Sequence, residues 1–477
     1  PLTNIINKSL AQGVFPSKLK ISKVYPLHKK GSKKELQNYR PISLVPAVSK
    51  IIEKVVLSRL LNHLQQNSLI PKNQHGFIAG KSTTTALVDL VECIVDNLEA
   101  GNTVANVFLD LSKAFDCLEH GLTVRKLRSL GITDIALNWF GDYLQDRTQI
   151  VELKQLKNGR TKTARSSSLR INRGVPQGSV LGPVLFVLYT EDLTRYLEAF
   201  CHPIMYADDT VLITNNRSVE ALEVSTYIAM NMAHEYCINN DLVLNEDKTK
   251  QLSMGRHKDD VCGLPSLQTV TSNKHLGLIL DDRISWRGHI DSLCQKLSSS
   301  IFALKRVRAI CTNQAMKTAY FALLESHIRY GILLWGASSD NLKRVLLLQK
   351  RAVRCMTGLH YRESCRNAFK ELGILTVPSL YIMEVIMYAN NLGLPRNANA
   401  HNHNTRFASD FVLPAHRTSL FAKKPSYAGA RLYNLLPSEF KKGNQISLKR
   451  GLRNWLLSET IYSLDEFVEK ARITHLR

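Results

Sequence analysis

The run "IMYADDTVLI", residues 204–213, sets two carboxylates, Asp208 and Asp209, side by side in an apolar stretch. The residues on either side read as two short strands. That pattern predicts a hairpin turning at Ala207-Asp208-Asp209-Thr210, with both carboxylates lifted onto an exposed rim. A solvated turn is the plain reading, because Asp is a common turn residue. The alternative is a divalent cation, the usual remedy for carboxylates forced together, and it needs a third carboxylate from elsewhere in the chain. "TVANVFLDLSKAFDCLEHG", residues 103–121, offers one. Its β-type run, Thr103 to Leu111, encloses Asp110, where a charge is costly unless paired or bound to metal. A turn at Ser112-Lys113 then leads to a helix starting near Asp116, whose carboxylate is expected to do no more than cap it. Between the two segments, "RGVPQGSVLGPVLFVLYTEDL", residues 173–193, supplies a Gly/Pro loop in which backbone can approach a ligand. A helix is predicted to follow over 183–200, with Pro183 in its first turn.

The elements that must position these residues belong to a large globular chain. Its 477 residues are 44% hydrophobic, enough for a sizeable core and several subdomains. A formal charge of +23 favours a polyanionic partner, nucleic acid ahead of membrane. The cations cluster: residues 1–54 hold eleven Lys/Arg against two Glu, and residues 147–173 hold eight against one. Either cluster alone could be a solvated face. Nine irregularly spaced cysteines argue for a reducing compartment over a disulfide framework. No signal peptide and no apolar stretch near eighteen residues stands out, so neither secretion nor a membrane partner is expected. The chain opens at Pro1 on a helical stretch, which suggests a piece of something longer.

In chain order, a strand Asp, a Gly-Gln loop feeding a helix, and a hairpin Asp-Asp resemble the palm of reverse transcriptases. The resemblance extends to the non-LTR (LINE-type, Jockey-like) retrotransposon enzymes through "NYRPISLVPAVSKIIEKVV" (38–56), "NQHGF" (73–77), "FLDLSKAFD" (108–116), "GVPQGSVLGP" (174–183), "YADDT" (206–210), "LVLNEDKTK" (242–250) and "HLGLILDD" (275–282). It implies an α+β right-hand polymerase, with fingers over about 1–100, a palm with an antiparallel sheet over 101–285 and a helical thumb over 286–392. A linker at 394–407 and a basic extension over 408–477, of no derived role, complete the chain. The implied reaction is RNA-directed DNA synthesis from a DNA 3′-hydroxyl with two Mg²⁺ ions, or Mn²⁺ in their place. Its implied partners are an RNA template, a DNA primer, the RNA–DNA hybrid and dNTPs, in an intracellular setting of nucleus and cytoplasm.

The resemblance also assigns residues. Asp110 and Asp208 would hold both ions, with Asp209 more peripheral. Phe115 would lie under the sugar and exclude a ribose 2′-hydroxyl, though a core Phe is the alternative. Gln177 would meet the incoming nucleotide or the template backbone, and Tyr206 the primer or template. Arg40 and Lys30, in "LHKKGSKKELQNYRP", would grip the triphosphate, with the lysine register open among four neighbouring lysines. Lys248 would protonate pyrophosphate unless it is an ordinary surface lysine. His275 and Gly277 would shape a primer-grip hairpin. On the thumb, Lys296, Lys305, Arg306 and Arg308 fall on or near one helical side, suited to the minor groove of a hybrid.

Two further patterns fail on spacing. "AGKSTTT" (79–85) ends like a phosphate loop, but the Gly required five residues before Gly80 is His75. Cys355, His360 and Cys365 match three ligands of a zinc knuckle, yet the first ligand falls on Ala352; His401 or His403 would have to complete the set from afar. Nothing in the chain resembles the endonuclease domain of full-length relatives or a ribonuclease H carboxylate cluster. A viral RNA-dependent RNA polymerase shares the palm, but Phe115 and Ala207 argue against it. A decayed copy that only binds RNA is a further alternative, disfavoured because Asp110, Asp208, Asp209, Phe115, Gln177 and Arg40 are all intact.

Overall fold

The computed structural model describes residues 1–112, 114–157, 159–265, 267–400 and 408–475. Lys113 of the expected turn and residues 401–407 of the expected linker, with His401 and His403, lie outside them.

Helix α1 (Leu2–Gln12) leads to strand β1 (Ile21–His28), which pairs antiparallel with β2 (Tyr39–Leu44) so that Leu27 faces Arg40. Helix α2 (Ala47–Gln66) buries Ser49, Ile52, Glu53, Val56, Leu60 and Leu64, one stripe at helical spacing that contains a glutamate. Helix α3 (Thr83–Glu99) opens on a capping box: the Ser82 hydroxyl accepts from the Thr85 N–H at 3.3 Å, and the Thr85 hydroxyl accepts from the Ser82 N–H at 2.9 Å.

Every residue of β3 (Thr103–Leu109) is buried, and the reason is its place in a sheet covered on both faces. Val104 and Phe108 point into one core, Val107 and Leu109 into the other, as period-two alternation requires. After β4 (Leu111–Ser112) come three helices, α4 (Ala114–Cys117), α5 (His120–Ser129) and α6 (Asp134–Leu144). Strand β5 (Arg147–Lys157) then returns to the fingers, parallel to β1, and forms a hairpin with β6 (Arg160–Arg165), while β7 (Leu169–Ile171) pairs with the start of β5.

The single helix expected over 183–200 is two, α7 (Gly182–Tyr189) and α8 (Leu193–Leu197). The break has a buried cause. Lys126 Nζ donates to the Tyr189 carbonyl at 2.6 Å and to the Asp192 carboxylate at 2.8 Å, which turns the chain between them. Strands β8 (His202–Tyr206) and β9 (Asp209–Asn216) follow, then α9 (Val219–Asn239), β10 (Val243–Leu244) and β11 (Lys250–Met254). With β12 (Gln268–Thr269) they complete the palm sheet, in the order β12-β11-β3-β9-β8. Strand β4 is outside it, paired with β10. The expected strand through Asp110 therefore ends at Leu109, and Asp110 stands where the chain leaves one sheet for another.

A last hairpin, β13 (Ser272–His275) and β14 (Leu278–Asp281), precedes the 22-residue helix α10 (Arg287–Arg308). Helix α10 buries Ile290, Leu293, Leu297, Ile301 and Leu304 and leaves Lys296, Lys305, Arg306 and Arg308 exposed. Helices Ser339–Thr357 and Val377–Asn391 share its core. Residues 408–475 join that core too. Helix Pro425–Asn434 lies on Val377–Asn391, and the segment before it reaches back to α3. There Lys424 Nζ meets the Asp96 carboxylate at 2.7 Å, and the Ser426 N–H donates to Glu92 at 2.8 Å. Among the described residues, no single helix is long and apolar enough to cross a membrane.

Candidate active site

The turn between β8 and β9 is two residues long, Ala207-Asp208, tighter than the four expected, and Tyr206 pairs with Asp209 across it. Ala207 takes φ 56°, the left-handed conformation that a two-residue hairpin of this hand demands. Asp208 is half-buried and Asp209 exposed. Strand β9 is hydrogen-bonded to β3 with Leu109 opposite Thr210, so the end of β3 delivers Asp110 beside the turn. The Asp110 carbonyl accepts from the Asn245 N–H at 2.8 Å, and its own N–H donates to the buried Thr249 hydroxyl at 3.4 Å.

The three charges act on one another. Crowding by the surrounding chain raises the Asp208 carboxyl above its ordinary range, and Asp110 adds to that. Asp209 is pushed up to about 6, first by the same desolvation, although the residue keeps contact with solvent, then by Asp208 and Asp110. Among the described residues no three His, Cys, Asp or Glu side chains already stand as a metal cage. Asp110 turns to Lys248, whose Nζ lies 3.5 Å from Oδ2, so a lysine supplies the local cation. The donor set itself fits a hard divalent ion: carboxylate oxygens alone, converging, with carboxyls that repel when ionised.

The turn is held by "NQHGF", a segment whose sequence carries no local signal for that role. Gln74, buried, accepts with one side-chain oxygen from the Gly76 N–H at 2.7 Å and the Ala207 N–H at 3.0 Å. The backbone bridges Asn73 and His75 to Met205 at 2.9 and 2.8 Å. A Cβ on Gly76 would lie 2.4 Å from the Ala207 nitrogen, so only glycine permits this approach. The lysine of "AGKSTTT" serves the same corner: Lys81 Nζ donates to the carbonyls of Gln74, at 2.9 Å, and Lys72.

The Gly/Pro loop is held from the fingers side. Glu53, fully buried on α2, accepts from the Val180 N–H at 2.6 Å, the Leu181 N–H at 3.2 Å and the Ser49 hydroxyl at 2.7 Å. Its signal in the sequence was a glutamate in the apolar stripe of a helix. The Gln177 carbonyl accepts from the Ser43 N–H at 2.8 Å, and at Gly178 (φ 129°) a Cβ would come within 2.5 Å of the Ser43 oxygen. The Gln177 amide points to the Asp116 carboxylate, at 3.3 and 3.4 Å. Asp116 thus does more than the capping expected of it. Phe115, half-buried on α4, has its ring 5.1 Å from that of Phe186.

Of the fingers cations, Arg40 is exposed on β2 and its charge opposes the rise at Asp208. Lys29, an exposed loop residue like Lys30 beside it, opposes the rise at Asp208 and Asp209. Lys29 is fixed by its N–H donating to the Asn38 carbonyl at 2.8 Å. Tyr206 is half-buried at the end of β8. His275 is buried with its ring 5.2 Å from Phe108, and desolvation lowers its pKa to about 4. Leu276 and Gly277 form the β13–β14 turn (φ 43° and 87°), which the Tyr330 hydroxyl pins by donating to the Leu276 carbonyl. Cys365 is buried and Cys355 half-buried, while His360 lies against Tyr361.

An antiparallel sheet that delivers three aspartates to one corner, facing cations from a separate fingers hairpin, is the layout of a palm-type nucleic-acid polymerase. The family model for reverse transcriptase (RNA-dependent DNA polymerase) matches residues 27–280, and the chain belongs to that family. It is similar to the "Probable RNA-directed DNA polymerase from transposon BS" of Drosophila melanogaster, 27% identical over 412 residues, covering 82% of this chain and 44% of that protein. It is similar also to the RNA-directed DNA polymerase from mobile element jockey of the same fly, 26% identical over 388 residues, covering 78% and 41%. These relatives bear out the Jockey-like resemblance, and the chain spans less than half their length. Among solved structures, apo telomerase from Candida tropicalis overlaps at 12% identity and a TM-score of 0.43, covering 80% of this chain and 65% of that one.

Proposed function

We propose that this chain is the polymerase portion of a non-LTR retrotransposon protein and copies RNA into DNA from the 3′-hydroxyl of a DNA primer. The observation that carries the reading is the convergence of Asp110, Asp208 and Asp209 at a hairpin turn braced by Gln74. In the reaction the primer 3′-oxygen attacks the α-phosphorus of a dNTP; the 3′-hydroxyl proton is lost and the bond to pyrophosphate breaks. Two divalent ions, Mg²⁺ or Mn²⁺, would when bound lower the charge on the attacking and leaving oxygens. Asp110 and Asp208 are the residues to hold both, with Asp209 at the margin.

The rest of the site orients the reactants. Arg40 and Lys29 face the carboxylates from the fingers, where a triphosphate would sit. Lys30, next to Lys29 in the same loop, would grip the triphosphate with them, and Lys248, beside Asp110, would give a proton to the departing pyrophosphate. Phe115 lies under the sugar, Gln177 beside the base pair, and Tyr206 with the His275–Gly277 hairpin under the primer. The thumb cations follow the hybrid. The setting is intracellular, in nucleus and cytoplasm.

The test is extension of a DNA primer on an RNA template with dNTPs and Mg²⁺. Asp110→Ala or Asp208→Ala is expected to abolish extension and leave hybrid binding within a few-fold, because carboxylates serve chemistry and cations serve binding. Mg²⁺-dependent extension by either variant would refute the assignment.

A further inference from the structure

Strand β5 is 11 residues long, but its pairing with β1 ends at Val151. Beyond that point β5 and β6 continue as a ribbon paired only with each other, Glu152 opposite Arg165 through Lys157 opposite Arg160. Six residues at strand rise carry it about 20 Å past the fingers sheet. No core explains its sequence. Residues 161–170 are all exposed, and Leu153 and Leu156 are 49% and 75% exposed. A lone two-stranded ribbon gains little stability of its own, so a surface of this kind points to something it meets.

The charge says what. Residues 147–173 carry eight Lys/Arg and one Glu. That glutamate, Glu152, is held between Lys23 at 3.5 Å and Arg165 at 2.8 Å, while Lys154 and Lys162 stand exposed outside those pairs. The register places the ribbon in line with the candidate site. Residues opposite one another in a sheet share a face, and so do alternate residues of one strand. Arg40 with Leu27, Ile42 with Tyr25, Leu44 with Lys23, and Lys23 with Ile150 therefore lie on one face, which continues along β5 to Glu152 and Lys154. Of these, Leu27, Tyr25 and Leu44 are 51%, 44% and 57% exposed. One strip thus runs from Arg40, whose charge reaches Asp208, to the ribbon, with apolar and aromatic surface between its cations. Cations interleaved with such surface suit a single strand, phosphates on the cations and bases on the rings and aliphatic groups.

We propose that the β5–β6 ribbon binds single-stranded template RNA ahead of the polymerase site and extends the fingers face into a track. This rests on the reading that the chain copies RNA, and the experiment separates the two. Affinity is measured with a DNA primer on RNA templates whose 5′ overhang is about 4 or about 16 nucleotides, on the scale of single-strand binding sites. The wild-type chain is expected to bind the long overhang more tightly. Lys154→Glu, on the face shared with Arg40, is expected to lose roughly threefold of that gain at 0.1 M salt, with a shallower salt slope, whereas Lys162→Glu, opposite Gln155 and so on the other face, should lose less. The extension rate of Lys154→Glu on the short overhang and its melting temperature should stay unchanged. Lys449→Glu makes the same charge change as Lys154→Glu at an exposed position far along the chain and should keep the gain.

Equal loss in Lys154→Glu and Lys449→Glu would overturn the proposal in favour of net charge. Affinity independent of overhang length in the wild-type chain would overturn it too, and leave the lysines as guards of an exposed sheet edge or as part of a protein-binding surface. A ribbon-dependent gain in a chain that extends no primer would uphold the track and refute the polymerase reading.

Discussion

Phe115 and Glu53 show how differently two residues can serve one site. The Phe115 ring touches Phe186 on one side, and α4 holds it five residues beyond Asp110. On the proposed placement of that ring under the sugar, Phe115→Val is expected to raise ribonucleotide use relative to deoxynucleotide by tenfold or more, on the order of 1.4 kcal/mol of lost discrimination. Single-nucleotide kinetics measure it, and unchanged discrimination would return Phe115 to a packing role. Glu53 touches no reactant. Its carboxylate accepts three hydrogen bonds in a fully buried place, two of them from the backbone at the start of α7. Glu53→Ala is expected to cost about 3 kcal/mol, since it leaves buried N–H groups without an acceptor. Denaturant unfolding would show this, with Glu53→Gln losing less because an acceptor oxygen remains.

At the scale of elements, the site is two hairpins and a loop, each held from behind. The β8–β9 turn depends on Gly76, where any Cβ would strike the Ala207 backbone at 2.4 Å. Gly76→Ala is therefore expected to shift the turn that carries Asp208 and to slow extension by about 100-fold, the scale of a 1 Å misplacement. Hybrid affinity, read by filter binding, should hardly change. The β13–β14 hairpin has a different dependence. His275 is buried and neutral, with its pKa lowered to about 4. The unfolded chain takes up that proton near pH 6.5, so stability is unaffected above neutrality and falls as pH drops from about 6.5 toward 4, by up to about 3 kcal/mol. Thermal melts at stepped pH should show the decline, and His275→Gln should reduce it, the remainder coming from His289, whose pKa burial also lowers to about 4.

Across the whole molecule, excess positive charge is arranged over fingers, ribbon and thumb, while the acidic side of α3 is occupied from within. Glu92, Asp96 and Glu99 meet Ser426, Lys424, Arg417 and Thr418 of the C-terminal region, which ties helices beyond residue 408 to α3. A chain with a +23 balance spread in this way should bind primer–template with a steep salt dependence, losing about a thousandfold between 50 and 200 mM salt if some six phosphates are neutralised. A nearly flat plot of log affinity against log salt would mean that these cations face something else.

Motif order alone was enough for the family and the palm, and it singled out the three aspartates proposed for the site, because chemistry demands particular residue types at positions the chain cannot vary freely. Local pattern also sufficed for the β8–β9 hairpin and the long thumb helix, whose apolar periodicities are strong. Contacts between residues far apart in sequence decided the rest. Asp110 leaves the strand that local propensity would continue because Asn245 and Thr249 bond its backbone from 135 and 139 residues away. The helix over 183–200 breaks because Lys126 is buried under it. Among the neighbouring lysines, Lys29 is the one whose charge reaches Asp208 and Asp209, and its N–H is held by the Asn38 carbonyl, a contact that the sequence does not display. Gln74, Gly76 and Glu53 act through backbone groups of distant segments. Side-chain type sets what chemistry is available, and only the folded chain sets which backbone each side chain meets.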